Sequence, residues 1–244
     1  NVLQSPGVAA SISAQTNALC NGAANGTATA AGVGGNGTYS YAWSNGGSSA
    51  SVSGLSAGTY VVVVTDAENC SASSTVVIAQ PDVLVANASA TAQTAFGEND
   101  GTATANPTGG TNAYAYAWDN GESTQTISGL APGNYNVVIT DANGCTAVQT
   151  VTVNSFNCSL AANVSASNVT CHGANNGVAE VLVTTGANPL TFAWSNGETT
   201  QSVSNLSAGL YTVNVTDGNN CPAVLSINIS EPILLLANAT PTAE

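Results

Sequence analysis

The chain has 244 residues with no lysine, no arginine, one histidine and 13 carboxylates, for a formal net charge of −13. Nothing on it can neutralise phosphates, which excludes nucleic-acid binding and direct attraction to anionic lipid. Without lysine, Schiff-base chemistry and lysine isopeptide cross-links are excluded too. Hydrophobic residues make up 43%, which argues against disorder, and no apolar run reaches the roughly 18 residues that a membrane span needs.

In chain order, residues 1–5 read as the tail of one unit, and Pro6 opens the next. Within it the short alternating runs predict strands near 8–15, 26–32, 38–44, 48–53, 59–65 and 73–79, separated by Asn-Gly and Gly-Gly turns. The pattern then repeats. YSYAWSNGGSSASVSGLSAGTYVVVVTDAENC at 39–70 aligns without a gap to YAYAWDNGESTQTISGLAPGNYNVVITDANGC at 114–145 and to LTFAWSNGETTQSVSNLSAGLYTVNVTDGNNC at 190–221. Repeats therefore run 6–80, 81–156 and 157–231, and 232–244 reads as the first strand of a fourth. With no initiator methionine and both ends cut mid-pattern, the chain reads as a piece of something longer. No stretch carries apolar residues at helical spacing. The expected fold class is all-β: tandem immunoglobulin-like antiparallel β-sandwich repeats.

Two positions in each repeat read as core anchors. Trp43, Trp118 and Trp194 are the largest apolar side chains in an Ala- and Val-rich interior. Tyr60, Tyr135 and Tyr211 follow a Leu-x-x-Gly run, the setting of a tyrosine corner. Alternation points Tyr60, Val62 and Val64 inward, leaving Val61, Val63 and Val138 outward. Natural sheets often guard exposed edges with lysine, and this chain has none. A face that packs on a neighbouring chain or domain through those valines is therefore expected.

The order C-x-G, then Gly-Gly, then Y-x-[YF]-x-W-[SD]-N-G, then L-x-[AP]-G-x-Y-x-V-x-[VI]-T-D-x-x-x-C resembles the SprB repeat of Bacteroidota surface adhesins. It is similar, more distantly, to the polycystic-kidney-disease domain. The resemblance implies a non-enzymatic extracellular stalk or adhesive filament at the cell surface, exported by a type IX-like route and linked to gliding motility. Its partners would be other copies of the chain or its repeats, with surface polysaccharide as a second class. The alternative is a set of carbohydrate-binding or spacer modules from a secreted hydrolase.

Catalysis finds no footing: His172 aligns with Asn21 and Phe96, and no nucleophile and orienting partner recur beside it. No cofactor is expected, with calcium as the weak exception. Asp66, Asp141 and Asp217 in the fifth inter-strand turn, and Glu98 with Asp100 in a first loop, offer hard oxygen ligands. Glu98, Asp100 and Asp141 would have to meet. The bland reading is that these side chains bond their own turns.

Six cysteines suit an oxidising setting. Cys20 with Cys70 and Cys171 with Cys221 stand at matching positions, each joining the first loop of a repeat to its fifth turn. Each bond would contribute about 4 kcal/mol on the chain-entropy estimate. Both loops must then lie at one end of the sandwich. Repeat two has Ala95 where Cys20 and Cys171 stand, so Cys145 is expected to pair with Cys158. A strand about 25 Å long intervenes, so either the linker folds back over the fifth turn or the bond joins neighbouring chains.

Overall fold

The computed structural model describes residues 7–237. The expected tail at 1–5 lies outside them. Residues 232–237 carry no strand, and the rest of the expected fourth-repeat strand, 238–244, lies outside the described residues. Among the described residues there is no helix, so none is long and apolar enough to cross a membrane.

Each repeat contributes six strands. The first has β1 (Ala9–Thr16), β2 (Gly26–Val33), β3 (Ser40–Trp43), β4 (Ser51–Leu55), β5 (Gly58–Thr65) and β6 (Ser71–Ile78). The second has β7 (Ala88–Thr91), β8 (Gly101–Ala105), β9 (Ala115–Trp118), β10 (Thr126–Leu130), β11 (Gly133–Thr140) and β12 (Thr146–Val153). The third has β13 (Ala161–Ser167), β14 (Gly177–Thr185), β15 (Thr191–Trp194), β16 (Ser202–Leu206), β17 (Gly209–Thr216) and β18 (Pro222–Ile229). In every repeat one sheet takes the first, second and fourth strands (β1-β2-β4 in the first) and the other the third, fifth and sixth (β3-β5-β6). These are antiparallel, immunoglobulin-like sandwiches.

The chain divides into two compact units. One joins Asn1–Ala90 with Ala103–Ile127 and Asn134–Thr152; the other joins Thr91–Thr102 with Ser128–Gly133 and Val153–Glu244. The first repeat's core lies in the former: Ala28, Ala30, Trp43, Leu55, Val62, Val64, Val76 and Ile78. The third repeat's core lies in the latter, around Ala179, Val181, Trp194, Val203, Leu206, Val213, Val215 and Ile229. Small alanines on the first sheet leave room opposite them, and each tryptophan fills it. Its indole N–H donates across the following turn, Trp43 to the Ser49 carbonyl and Trp194 to the Thr200 carbonyl, both at 2.9 Å. The period-2 facing is sharp on β5: Val62 and Val64 are fully buried, while Val61 and Val63 are 38% exposed.

Strand direction decides where the loops meet. β3 pairs antiparallel with β5, and β4 antiparallel with β2. The Ala18 N–H donates to the Ala79 carbonyl at 2.9 Å, which sets the β1–β2 loop beside the C-terminal end of β6. The Asn36 N–H donates to Asp66 Oδ2 at 3.0 Å, which sets the β5–β6 turn against the β2–β3 loop. β3 and β4 therefore run the same way: residues 44–50 carry the chain between sheets without reversing it. The first loop and the fifth turn of a repeat lie at opposite ends of an eight-residue β6, about 25 Å apart. The third repeat repeats the arrangement through Val169 N–H to the Ser230 carbonyl and Ala187 N–H to Asp217 Oδ2.

Candidate functional site at the loop ends

The Thr-Asp pair that ends each fifth strand builds a fixed turn. Asp66 Oδ1 accepts N–H groups from Glu68 and Cys70 at 3.0 and 2.8 Å, while Oδ2 accepts that of Asn36. Asp141 takes Asn143, Cys145 and Thr111 in the same way, and Asp217 takes Asn219, Cys221 and Ala187. All three carboxylates are buried. The Asn36 N–H, ahead of burial, governs Asp66, and the Ala187 N–H governs Asp217; both acids are held below the ordinary carboxylate value. At Asp141 burial pushes upward most strongly, yet the N–H groups of Thr111, Cys145, Asn143 and Gly144 together outweigh it. The clasp also explains a glycine. Gly35 and Gly110 have φ of +63° and +60°, and a Cβ on Gly110 would stand 2.7 Å from Asp141 Oδ2.

The first-loop acids serve the loop as well. Asp100 Oδ1 accepts the Thr94 N–H at 3.0 Å, and the Thr94 hydroxyl donates to Oδ2. That hydroxyl, then the N–H, lowers the Asp100 pKa. Asn25 and Asn176 hold the N–H groups of Leu19 and Thr170 from matching positions. Among the described residues no three His, Cys, Asp or Glu side chains form a group able to hold a metal. Of the weak calcium candidates, Asp100 and Asp141 accept N–H groups of their own and adjoining loops, and Glu98 accepts the Asn220 side-chain amide. His172 Nε2 lies 3.6 Å from Glu231 Oε1, with both side chains open to solvent.

Tyr60 donates from its hydroxyl to the Ser56 carbonyl at 3.0 Å, and Tyr211 to the Ser207 carbonyl at 3.2 Å. Tyr135 is half-buried. A second tyrosine pair escaped the sequence reading: Tyr39 and Tyr114 donate to the carbonyls of Gly34 and Gly109, tying down the loop after the second strand. The signal was the Gly-Gly five residues upstream of each. Val61 and Val63 face outward, whereas Val138 is half-buried.

The cysteines overturn the expected pairing. Cys20 bonds Cys145, with Cα atoms 5.8 Å apart, and Cys158 bonds Cys221, with Cα atoms 5.5 Å apart. Cys70 and Cys171 are exposed thiols. Cys20–Cys70 and Cys171–Cys221 fail because first loop and fifth turn sit at opposite ends of each sandwich. Cys145–Cys158 fails on the intervening length of β12, eight residues. Instead, the first loop of repeat one meets the fifth turn of repeat two. There the Asn143 side-chain amide also donates to the Leu19 carbonyl at 2.9 Å. A cleft of about 340 Å³, lined by Cys20, Asn21, Val83, Leu84, Cys145 and Thr146, lies beside this bond. In the other unit the first loop of repeat two meets the fifth turn of repeat three: the Phe96 N–H donates to the Asn219 carbonyl at 2.9 Å, and the Asn220 amide donates to Glu98 at 3.2 Å.

Comparison with known proteins follows from this geometry. No curated protein sequence matches the chain at a significant level. Among solved structures, an adhesin described as calcium-stabilised and as helping an Antarctic bacterium bind ice is 18% identical over 94% of this chain and 74% of its own, with a TM-score of 0.36. The eight N-terminal immunoglobulin domains of Down syndrome cell adhesion molecule are 13% identical over 93% of this chain, with a TM-score of 0.32. This chain spans 36% of that one. Sidekick-1 immunoglobulin domains 1–4 are 14% identical over 92% of this chain and 74% of their own, with a TM-score of 0.27. The sequence model of the SprB repeat matches residues 12–48, 96–123 and 163–199, one segment in each sandwich. Each of the three sandwiches thus carries a segment similar to the SprB repeat.

Proposed function

We propose that this chain is a non-enzymatic part of an extracellular bacterial adhesin, a load-bearing stalk or filament of the cell surface. The Cys20–Cys145 bond between consecutive repeats carries this reading. A cross-repeat disulfide needs an oxidising compartment, and it keeps neighbouring modules joined when the chain is pulled. The buried tryptophans and half-buried tyrosines speak against the carbohydrate-module alternative, since a sugar-stacking platform needs an open ring; Phe96 is the exposed Trp, Tyr or Phe among the described residues. Type IX-like export, a role in gliding motility and binding to other copies belong to the same proposal.

Two measurements test it. Antibody against the repeats should label intact source cells; labelling only after permeabilisation overturns the surface role. Single-molecule stretching should release about 680 Å more contour length when a reductant is present, because the two bonds shield 125 and 63 residues of extended chain. Equal lengths with and without reductant overturn the load-bearing role.

A further inference from the structure

Cys70 and Cys171 are complementary. Cys171 stands in the β13–β14 loop at the place of Cys20, and Cys70 stands in the β5–β6 turn at the place of Cys145. Those equivalents are bonded to each other, and the two thiols are exposed. The junction between a first loop and the next repeat's turn also forms where no sulfur takes part. Repeat two has Ala95 in place of the cysteine, yet Phe96 and Glu98 still bond Asn219 and Asn220. Docking is therefore a property of the loop pair, and the disulfide locks it.

We propose that Cys171 and Cys70 are the two halves of a further junction of this kind, each taking an SprB repeat that presents the complementary cysteine. Cys171 bonds the fifth-turn cysteine of a following repeat, and Cys70 bonds the first-loop cysteine of a preceding one. A second copy of this chain supplies both, end to end. At such a junction His172 occupies the place of Phe96 and Glu68 that of Asn219, so the N–H of residue 172 and the carbonyl of residue 68 remain available for the backbone bond. The proposal rests on this loop geometry and stands independently of the surface role.

The bond forms by thiol–disulfide exchange with a small disulfide oxidant. The Cys171 thiolate attacks oxidised glutathione and expels one glutathione thiolate. The Cys70 thiolate of the second copy then attacks the Cys171 sulfur of the mixed disulfide and expels the other. Two protein thiols are oxidised and one glutathione disulfide is reduced to two thiols.

The test uses the chain with its two structural disulfides intact in a glutathione redox buffer. Wild-type chains should give a ladder of disulfide-linked multimers on non-reducing gels. The Cys70→Ser and Cys171→Ser variants should each stay monomeric alone. Mixed at equal concentration, they should give a covalent dimer at least tenfold faster, its bond mapping to Cys171 and Cys70. Single variants that dimerise as fast as the mixture would show indiscriminate thiol oxidation and overturn the proposal. So would a mixture that stays monomeric while thiol titration finds both cysteines reactive. A wild-type chain that stays monomeric and has no free thiols, so that both cysteines are bonded within the chain, would overturn it too.

Discussion

Asp217 shows how one side chain does the work of a turn. Its two oxygens take three backbone N–H groups from two loops 30 residues apart, so the ionised form is the one the fold selects. The Asp217→Asn change sets an amide donor against those donors, and the third repeat should melt at a lower temperature in calorimetry. The same selection fixes a pH dependence. A carboxylate held below its ordinary value contributes stability that is complete above the unfolded value, near pH 4, and is lost as pH falls through the lower folded value. Asp66, Asp141 and Asp217 all shift this way. Melting temperature should therefore hold from pH 7 to about pH 5 and fall below pH 4; a flat profile down to pH 2 would contradict the clasp. Gly110→Ala places a Cβ against Asp141 Oδ2 on a left-handed backbone. The conformational term alone costs about 1–2 kcal/mol, and Gly121→Ala, with open space around it, is the control that lacks the contact. Trp194→Ala, at the centre of the third core, should cost about 3–5 kcal/mol by urea unfolding.

At the scale of strands and loops, the period-2 pattern placed the β5 alternation correctly, because burial on one face leaves a signature in composition. The predicted strand near 48–53 is instead Ser51–Leu55. The Trp43 indole bond to Ser49 occupies the preceding residues as a turn, and nothing in local alternation reports it. That turn also hid the direction of the chain. Counting strands assumes that each connection reverses the chain, and residues 44–50 do not, so the first loop and fifth turn were placed at the same end. The cysteines themselves carried the missing signal. If bonds join a first loop to the next repeat's turn, Ala95 orphans Cys221, and a new cysteine must appear within reach of it. Cys158, just before β13, is that residue. The Ala95→Cys, Cys158→Ser double variant should therefore form a bond between position 95 and Cys221, seen by peptide mapping. A free thiol at position 95 would contradict the account. Calcium ligation looked open for a related reason: Asp and Asn in tight turns read alike whether they face an ion or their own backbone.

For the whole molecule, the sequence displayed the number of sandwiches, and the way they join lay in loop direction. Under the proposed junction, modules whose ends carry complementary loops extend by adding another module of the same kind, and in an oxidising compartment each cysteine-bearing junction becomes covalent. The proposed stalk role depends on that connectivity. Disulfide mapping of the non-reduced chain tests it most directly; Glu-C and chymotrypsin are the proteases to use, because a chain without lysine or arginine gives trypsin nothing to cut. The account predicts Cys20–Cys145 and Cys158–Cys221, with Cys70 and Cys171 as thiols in the monomer. Recovery of Cys20–Cys70 and Cys171–Cys221 would contradict it.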